Sequence, residues 1–371
     1  MTQPIISIGL EGIAVAESSL SLVDGTNGLL VYRNHWARDL AVAHTFEEIA
    51  YLLWKGHLPN EEELASLKKQ LKDNRALPNY VKLALDQIPL DVDMMSVLRT
   101  GVSLLGTSGV QWPPTLEQVI AVTAKFPTIV AYRQARLEHR EPLDPRDDLD
   151  HTANYLYMLT GKEPHPAHVR ALDAYLILTQ EHGMNASTFS ARVVSSTQSD
   201  IYSALTAAIG ALKGPLHGGA PSEVTQMIEE IGTKENAEPW LRNALEKGER
   251  LMGFGHRIYK TTDPRATALR VVASELSEED PWFDLATHVE KVALRLLDEY
   301  KPGRKLNTNV EFFAAAVMRS IGLSESLFTP TFAVSRVVGW CAHILEQAEN
   351  NRIIRPQSIY TGQIPEQVGT N

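Results

Sequence analysis

The chain has 371 residues, of which 44% are hydrophobic and 22% charged, a composition typical of a globular protein with a sizeable buried core. Its formal net charge of −10 at pH 7 makes nucleic acid and anionic membranes poor partners, and the single cysteine, Cys341, excludes a disulfide framework and a thiolate metal site. No apolar run reaches transmembrane length and the N-terminus lacks leader-like features, so we expect a cytoplasmic protein.

The N-terminal segment is predicted to contain the β structure. Residues 5–33 have the pattern of short strands, because residues 5–15 are apolar with glycine interruptions. Residues 24–28 (DGTNG) form a turn signal between two apolar stretches. We therefore expect a minor β hairpin at the start of the chain.

Helical signals dominate the rest of the sequence. Thr45 with Glu48 and Asn60 with Glu63 form capping-box patterns ahead of periodic apolar residues. Pro127 should bend or break a long apolar pattern. The predicted later helices are 117–136, 167–180, 187–197, 199–213, 283–300, 311–320 and 331–349. The fold is therefore expected to be mainly α.

A histidine among glycines is the first candidate for chemistry. In residues 214–220 (GPLHGGA), Gly214 and Pro215 end the preceding helix and leave His217 on a turn. One ring nitrogen can then face a ligand while backbone holds the other. A surface histidine in a flexible turn is an equally good interpretation of this segment alone.

A second histidine lies in residues 253–265 (GFGHRIYKTTDPR). The segment is not a dinucleotide loop, because Ile258 occupies the sixth position of G-x-G-x-x-G and no βαβ pattern surrounds it. Three basic residues near His256 suit a carboxylate or a phosphate, although a solvated basic loop is the alternative. They are Arg257, Lys260 and Arg265.

A carboxylate opens a helix in residues 309–312 (NVEF). Glu311 should be ionised there and stabilised by the helix dipole, with Asn309 as the N-cap. Alone, the segment favours an ordinary acidic residue of a first turn. Upstream, His182 and Asn185 have the chemistry to bind a polar ligand, or Asn185 caps the next helix.

Three arginines are candidates for binding an anion. Arg336 lies in an apolar helical stretch and needs an anionic partner if it is buried. With Arg265 and Arg355 it makes a set that suits a dicarboxylate, which guanidinium groups clamp in bidentate fashion. We expect no metal site, because His165 and His168 lack a carboxylate pattern such as His-Glu-x-x-His.

Together these segments resemble the citrate synthase family. Residues 253–265 match the family's signature stretch, and the HGGA and Asn-Val-acid-Phe segments stand in the expected order and separation. Residues 98–100, 328–330 and the Arg355-Pro tail also fit, so the resemblance covers essentially the whole chain. It is closest to the short bacterial enzymes of the Bacillus type.

The resemblance implies an all-α homodimer. A large helical domain would comprise residues 1–217 and 323–371, and a smaller mobile domain, residues 218–322, would close over substrate. The helix at 199–213 would lie in or near the dimer interface.

The resemblance also implies a Claisen condensation of acetyl-CoA with oxaloacetate and hydrolysis to citrate and CoA, a reaction of the tricarboxylic acid cycle that needs no cofactor. Glu311 would take the methyl proton, His217 would stabilise the enol, and His256 would polarise the ketone. The oxaloacetate-binding set would be His182, Arg265, Arg336 and, from the partner subunit, Arg355. Candidates for the CoA phosphates are Arg257, Lys260 and Lys305.

One residue departs from the family pattern. Most members have Asp where this chain has Glu311, and a displacement of about 1 Å can cost about 10²-fold in rate. Some bacterial members carry Glu, so the catalytic assignment is kept. The alternatives are a 2-methylcitrate synthase that uses propionyl-CoA, which these motifs do not separate, and a non-catalytic sensor of CoA or dicarboxylate.

Overall fold

The computed structural model describes residues 6–107, 111–218, 220–256, 258–276 and 281–363. These residues form an all-α fold with one small antiparallel sheet near the N-terminus, as predicted. In this part of the chain, no helix has the length and apolar character required to cross a membrane.

The sheet has three strands, β1 (Ser21–Asp24), β2 (Leu29–Tyr32) and β3 (His35–Trp36), in that order. Asp24 pairs with Leu29, so the hairpin turn falls on the predicted DGTNG segment. The expectation of strands over residues 5–15 is wrong. The described residues there form a 3-10 turn, Ile8–Leu10, and side chains such as Ile8, which is 88% exposed, find no strand to pair with.

The described chain contains sixteen α-helices. They are α1 (Ala37–Ala43), α2 (Phe46–Lys55), α3 (Glu61–Asp73), α4 (Asn79–Asp86), α5 (Met94–Leu105), α6 (Leu116–Leu137), α7 (His151–Thr160), α8 (Pro166–Gln180), α9 (Ala186–Ser196), α10 (Ile201–Leu212), α11 (Ala220–Ile231), α12 (Lys234–Glu246), α13 (Pro264–Leu276), α14 (Pro281–Tyr300), α15 (Val310–Ser320) and α16 (Phe328–Glu349).

Local signals placed several helix starts correctly. The capping boxes at Thr45 and Asn60 are both formed, and Asn60 accepts a hydrogen bond of 2.9 Å from the Glu63 amide. The expected break at Pro127 does not occur, because α6 is one continuous helix. α6 is buried along most of its length against α3, α5, α7 and α16, and this packing offsets the lost backbone hydrogen bond.

The helices pack as two groups that meet chiefly at α1 and α8. α16 lies centrally in the first group, against α2, α6, α8, α9 and α10. The second group consists of α11 to α15, and its members α13 and α15 contact α8. The candidate site lies where the two groups meet.

Glu47 and Asp173 are buried carboxyl groups of the first helical group. The Glu47 carboxylate on α2 accepts the His151 amide at 2.8 Å, and Thr152 donates its hydroxyl proton to Asp173 on α8. Burial and the nearby Glu47 charge raise the pKa of Asp173 to about 7. Burial also raises the pKa of Glu47. These groups therefore favour the protonated form on folding.

The buried Asp173 predicts a pH-dependent stability. The folded chain binds more protons here than the unfolded chain between pH 3.8 and about 7, so this contribution is present at low pH and is lost as the pH rises through that window. Asp173→Asn keeps an acceptor for Thr152 and should flatten the dependence, raising the melting temperature at pH 8 by several degrees.

Circular dichroism melts at pH 5 to 8 test this expectation. Asp144→Asn is the matched control, because the Asp144 side chain is 89% exposed. Equal pH slopes for the wild type and Asp173→Asn would contradict it.

Candidate active site

A cavity of about 220 Å³ lies at the junction of the two helical groups. It brings together the three predicted catalytic residues, His217, His256 and Glu311, although these are far apart in sequence. Three of the four predicted oxaloacetate-binding residues also line it, namely His182, Arg265 and Arg336. The remaining lining residues are Asn185, Leu216, Gly218, Ile258, Phe328, Thr329 and Phe332.

The hydrogen bonds of His256 fix its tautomer. Its Nδ1 accepts the backbone N–H groups of Ile258 at 3.0 Å and Tyr259 at 3.1 Å, so the proton of the neutral ring lies on Nε2. Burial and the Arg265 charge lower the pKa of His256 to about 4. The ring is therefore neutral at pH 7 and offers one N–H donor.

The Nε2–H group of His256 lies beside a second hydrogen-bond donor. Nη2 of Arg265 lies 3.2 Å from Nε2 of His256, and both atoms carry hydrogen in the assigned states. Two donors cannot satisfy each other, but together they can hold one oxygen acceptor. This geometry suits a carbonyl or carboxylate oxygen of a ligand in the cavity.

Asp263 holds Arg265 in place at the start of α13. The carboxylate accepts the Arg265 backbone N–H at 3.0 Å, its Nε at 3.1 Å and its Nη2 at 2.9 Å. Burial opposes the charge of Arg265, but Asp263 raises its pKa above the ordinary value. Asp263 also accepts the amide of Val310, the first residue of α15, at 3.1 Å. One carboxylate thus links the arginine to the helix that carries Glu311.

Glu311 stands in the first turn of α15, as predicted. Asn309 caps the helix by accepting the Glu311 amide at 3.0 Å, and its Nδ2 donates to the carbonyl of Gly255 at 2.9 Å. The segments that carry Glu311 and His256 are therefore hydrogen-bonded to each other.

The expectation of an ordinary ionised carboxylate at Glu311 needs correction. Burial raises its pKa to about 7, although the Arg265 charge opposes that shift. Desolvation outweighs the helix dipole at this position. A carboxyl group with this pKa can exchange a proton near neutral pH.

His217 lies on the turn after α10, and the Ser187 side chain contacts its ring. Nε2 lies 2.8 Å from the Ser187 hydroxyl, which accepts a hydrogen bond of 3.1 Å from the Trp340 indole. Burial and the Arg336 charge lower the pKa of His217 to about 4. The single proton of the Ser187 hydroxyl has two acceptors at 2.8 Å, Oδ1 of Asn185 and Nε2 of His217. When Ser187 donates it to Nε2, the neutral ring carries its own proton on Nδ1.

His182 and Arg336 complete the wall of the cavity. His182 shares a hydrogen bond of 3.1 Å with the hydroxyl of Tyr259, and burial together with Arg265 lowers its pKa well below the ordinary value. Arg336 is 2% exposed and donates Nε to the carbonyl of Thr179 at 2.7 Å. Among the described residues, no carboxylate oxygen lies within 4.0 Å of its guanidinium, so this arginine has capacity for an anionic ligand.

The other predicted residues lie elsewhere. Arg355 is exposed in the segment after α16 and does not line the cavity. Lys260 and Lys305 are exposed and line neither this cavity nor a neighbouring one of about 440 Å³. Arg257 lies outside the described residues. The neighbouring cavity shares His256 and is lined by three basic residues that sequence reasoning missed, Arg250, Lys301 and Arg304.

Several supporting residues were also missed. Asp263 had a local signal, because Asp followed by Pro is a common start of a helix. No local sequence signal marked Ser187, Tyr259 or Trp340, because each forms its hydrogen bond with a histidine or a hydroxyl distant in sequence.

Comparisons with known proteins identify the family of this chain. Residues 9–357 match the family model described as the C-terminal domain of citrate synthase. Citrate synthase 2 of Bacillus subtilis is 45% identical over 364 residues, which cover 95% of each chain. A 2-methylcitrate synthase of Shewanella oneidensis is 40% identical and covers 97% of this chain and 96% of its own.

A solved structure has the same fold. It is the ternary complex of a citrate synthase from Thermoplasma acidophilum with carboxymethyl coenzyme A and oxaloacetate, which is 31% identical with a TM-score of 0.89 and covers 99% of this chain and 98% of its own. The chain therefore belongs to the citrate synthase family of acyltransferases.

Proposed function

We propose that the chain condenses acetyl-CoA with oxaloacetate and hydrolyses the product thioester to citrate and CoA. The observation that carries the proposal is the convergence of one carboxyl group of raised pKa with two neutral histidines on one cavity. A carboxylate and neutral N–H donors are what enolate formation from a thioester requires.

The reaction follows from these groups. Ionised Glu311 takes a proton from the methyl carbon of acetyl-CoA, and the electron pair moves onto the thioester oxygen. His217 stabilises that oxygen as a neutral donor through Nδ1. The enol carbon then attacks the ketone carbon of oxaloacetate. His256 polarises the ketone oxygen and gives it the Nε2 proton as the carbon–carbon bond forms, and the methyl proton that Glu311 releases restores the neutral ring. Water finally cleaves the citryl thioester.

The arginines account for a dicarboxylate substrate. Arg336 binds one carboxylate through the guanidinium nitrogens that Thr179 leaves unused, and Arg265 binds the other beside His256. His182 adds a neutral polar contact. We infer that Arg355 reaches the site of a partner subunit in a homodimer, which its exposure outside the cavity of its own chain supports. A cytoplasmic location remains a prediction from sequence.

Residues 218–322 would form the smaller domain that closes over the substrates. The cavity is built from both helical groups, since His182 and Arg336 belong to the first and Arg265 and Glu311 to the second. Movement between the groups would open and close it.

The neighbouring basic cavity would hold the CoA phosphates. Arg250, Lys301 and Arg304 line it beside His256, and no described carboxylate lies within 4.0 Å of their charged nitrogens. We therefore favour these residues over Lys260 and Lys305 as phosphate ligands.

Replacement of the proposed base provides the main test. Glu311→Gln removes the proton acceptor with little change in size, so CoA release with acetyl-CoA and oxaloacetate should fall by about 10²–10⁴-fold. Glu325→Gln, at an exposed position, is the control and should retain activity. Near-wild-type turnover by Glu311→Gln would mean that the base is another group.

The same assay with propionyl-CoA ranks the acyl donors. A 2-methylcitrate synthase among the relatives makes this comparison necessary. One methylene changes discrimination by about 1–3 kcal/mol, so both donors should turn over with a preference for acetyl-CoA. A preference for propionyl-CoA would identify the chain as a 2-methylcitrate synthase. Absence of turnover with either donor would mean that the chain binds CoA or dicarboxylate without catalysis.

The pKa of Glu311 predicts the pH profile. Since the base must be ionised, kcat/KM for acetyl-CoA should rise with pH through a midpoint near 7. His217 and His256 have pKa values of about 4 and should contribute no transition between pH 5.5 and 8.5. Rates on protein shown to be folded at each pH check this, and a flat profile from pH 6 to 8 would contradict it.

Replacement of Arg304 tests the phosphate site. Arg304→Gln should raise KM for acetyl-CoA about tenfold and leave KM for oxaloacetate unchanged, because a charge-assisted hydrogen bond contributes about 1.5–3 kcal/mol. Lys305→Gln, at the adjacent residue outside the cavity, is the matched control. A larger rise in KM for acetyl-CoA in Lys305→Gln than in Arg304→Gln would instead identify Lys305 as the phosphate ligand.

A further inference from the structure

A chain of buried polar side chains lies behind the candidate active site. It consists of Glu181, His343 and Arg192, which are 0%, 1% and 2% exposed. Nε of Arg192 donates to Nδ1 of His343 at 3.0 Å, and Nε2 of His343 lies 3.0 Å from Oε1 of Glu181. Because Arg192 can only donate, the neutral His343 ring carries its proton on Nε2 and donates it to Glu181.

Glu181 is bonded to the loop that presents His182. Its Oε1 also accepts the Gly183 amide at 2.6 Å and the Ser21 hydroxyl at 2.9 Å. The Tyr32 hydroxyl donates to the Glu181 carbonyl at 2.8 Å. The residues on both sides of His182 are therefore fixed to the sheet and to α16.

The Glu181 charge also acts on Arg336. Burial alone would raise the pKa of Glu181, but His343 and Arg336 hold it below the ordinary value, so the carboxylate is ionised. Its attraction opposes the effect of burial on Arg336. Since it lies more than 4.0 Å from the guanidinium, it balances that charge without occupying the nitrogens that a substrate needs.

Helix α16 carries both Arg336, which lines the cavity, and His343, which holds Glu181. Arg336 and His343 are about two helical turns apart, on the same face. Between them, a Cβ added at Gly339 would lie 2.5 Å from Oε2 of Glu181 and 2.2 Å from the carbonyl of Gln180. Glycine at this position lets the helix approach closely enough for His343 to reach Glu181.

Arg192 anchors the far end. Its Nη1 donates to Gln347 at 3.1 Å, and Nη2 pairs with Glu346. These contacts keep its Nε directed at His343. They belong to α16 and not to the cavity, so Arg192 acts on the site only through His343.

We propose that His343 is a positioning residue for the oxaloacetate site, which it serves by holding Glu181. Ionised and oriented in this way, Glu181 fixes His182 and keeps Arg336 available for a substrate carboxylate. This inference rests on the proposed function, because it assigns the dicarboxylate to the cavity of His182 and Arg336. Arg192 sets the tautomer on which the contact depends.

Two variants at one position separate positioning from packing. His343→Leu removes the donor to Glu181, and His343→Gln places an amide N–H donor in the same space. The leucine variant should raise KM for oxaloacetate at least about tenfold, as expected for loss of a hydrogen bond to a charged group, with KM for acetyl-CoA and kcat within about twofold. The glutamine variant should recover most of the oxaloacetate affinity.

Direct binding separates this inference from the proposed function. Calorimetric titration of the full chain with oxaloacetate alone reports on the dicarboxylate site whether or not CoA is released. Absence of CoA release by wild type, with oxaloacetate binding that weakens in His343→Leu, would reject the reaction and keep the positioning role. Equal binding by wild type and His343→Leu would reject the positioning role and keep the reaction.

A further variant tests the proposal in case the His343 variants do not fold. Ser21→Ala removes another donor to Glu181, and it lies on strand β1, whose residues are only partly buried. It should weaken oxaloacetate binding about threefold. Unchanged oxaloacetate binding by Ser21→Ala would mean that the buried side chains contribute to stability alone. The same conclusion would follow if both His343 variants lost equal oxaloacetate affinity and had lowered melting temperatures.

Discussion

The Asp263 carboxylate is the interaction on which the candidate site depends. It accepts two side-chain and one backbone hydrogen bond from Arg265 and a fourth from the first amide of α15. Arg265 is thereby aimed at Nε2 of His256, while the helix that begins at Val310 carries Glu311 into the same cavity. Loss of this carboxylate would leave a buried guanidinium and a helix N-terminus unsatisfied together, which is costly because both are desolvated.

The protonation states of the groups in the cavity follow from their burial. Desolvation and two neighbouring arginines keep His182, His217 and His256 neutral, so they serve as hydrogen-bond donors instead of cations. The same desolvation moves the pKa of Glu311 toward neutrality. In the proposed reaction, the guanidinium groups alone would attract the anionic substrate, while Glu311 and the histidines would be near the protonation states that enolate chemistry needs.

Sequence was informative where the signal was local. The hairpin turn, the caps at Thr45, Asn60 and Asn309, and the glycine-flanked histidines each depend on neighbours within a few positions. Family resemblance then named residues that the fold brings to one cavity. Long-range contacts were not accessible in this way. The Ser187–His217 and Trp340–Ser187 hydrogen bonds join residues 30 and 153 positions apart. The raised pKa of Glu311 depends on burial, which its helix-start pattern does not encode.

The N-terminal hairpin bears on the chemistry although it contributes no reactive group. Its turn lies against the segment after His256, where the Lys260 amide donates to the Gly25 carbonyl at 2.7 Å and a Cβ at Gly25 would lie 2.1 Å from the Ile258 carbonyl. The amides that fix the His256 tautomer belong to that same segment. The turn thus packs against the backbone that holds the His256 ring, so a side chain added at Gly25 is expected to displace that backbone and, with it, the ring.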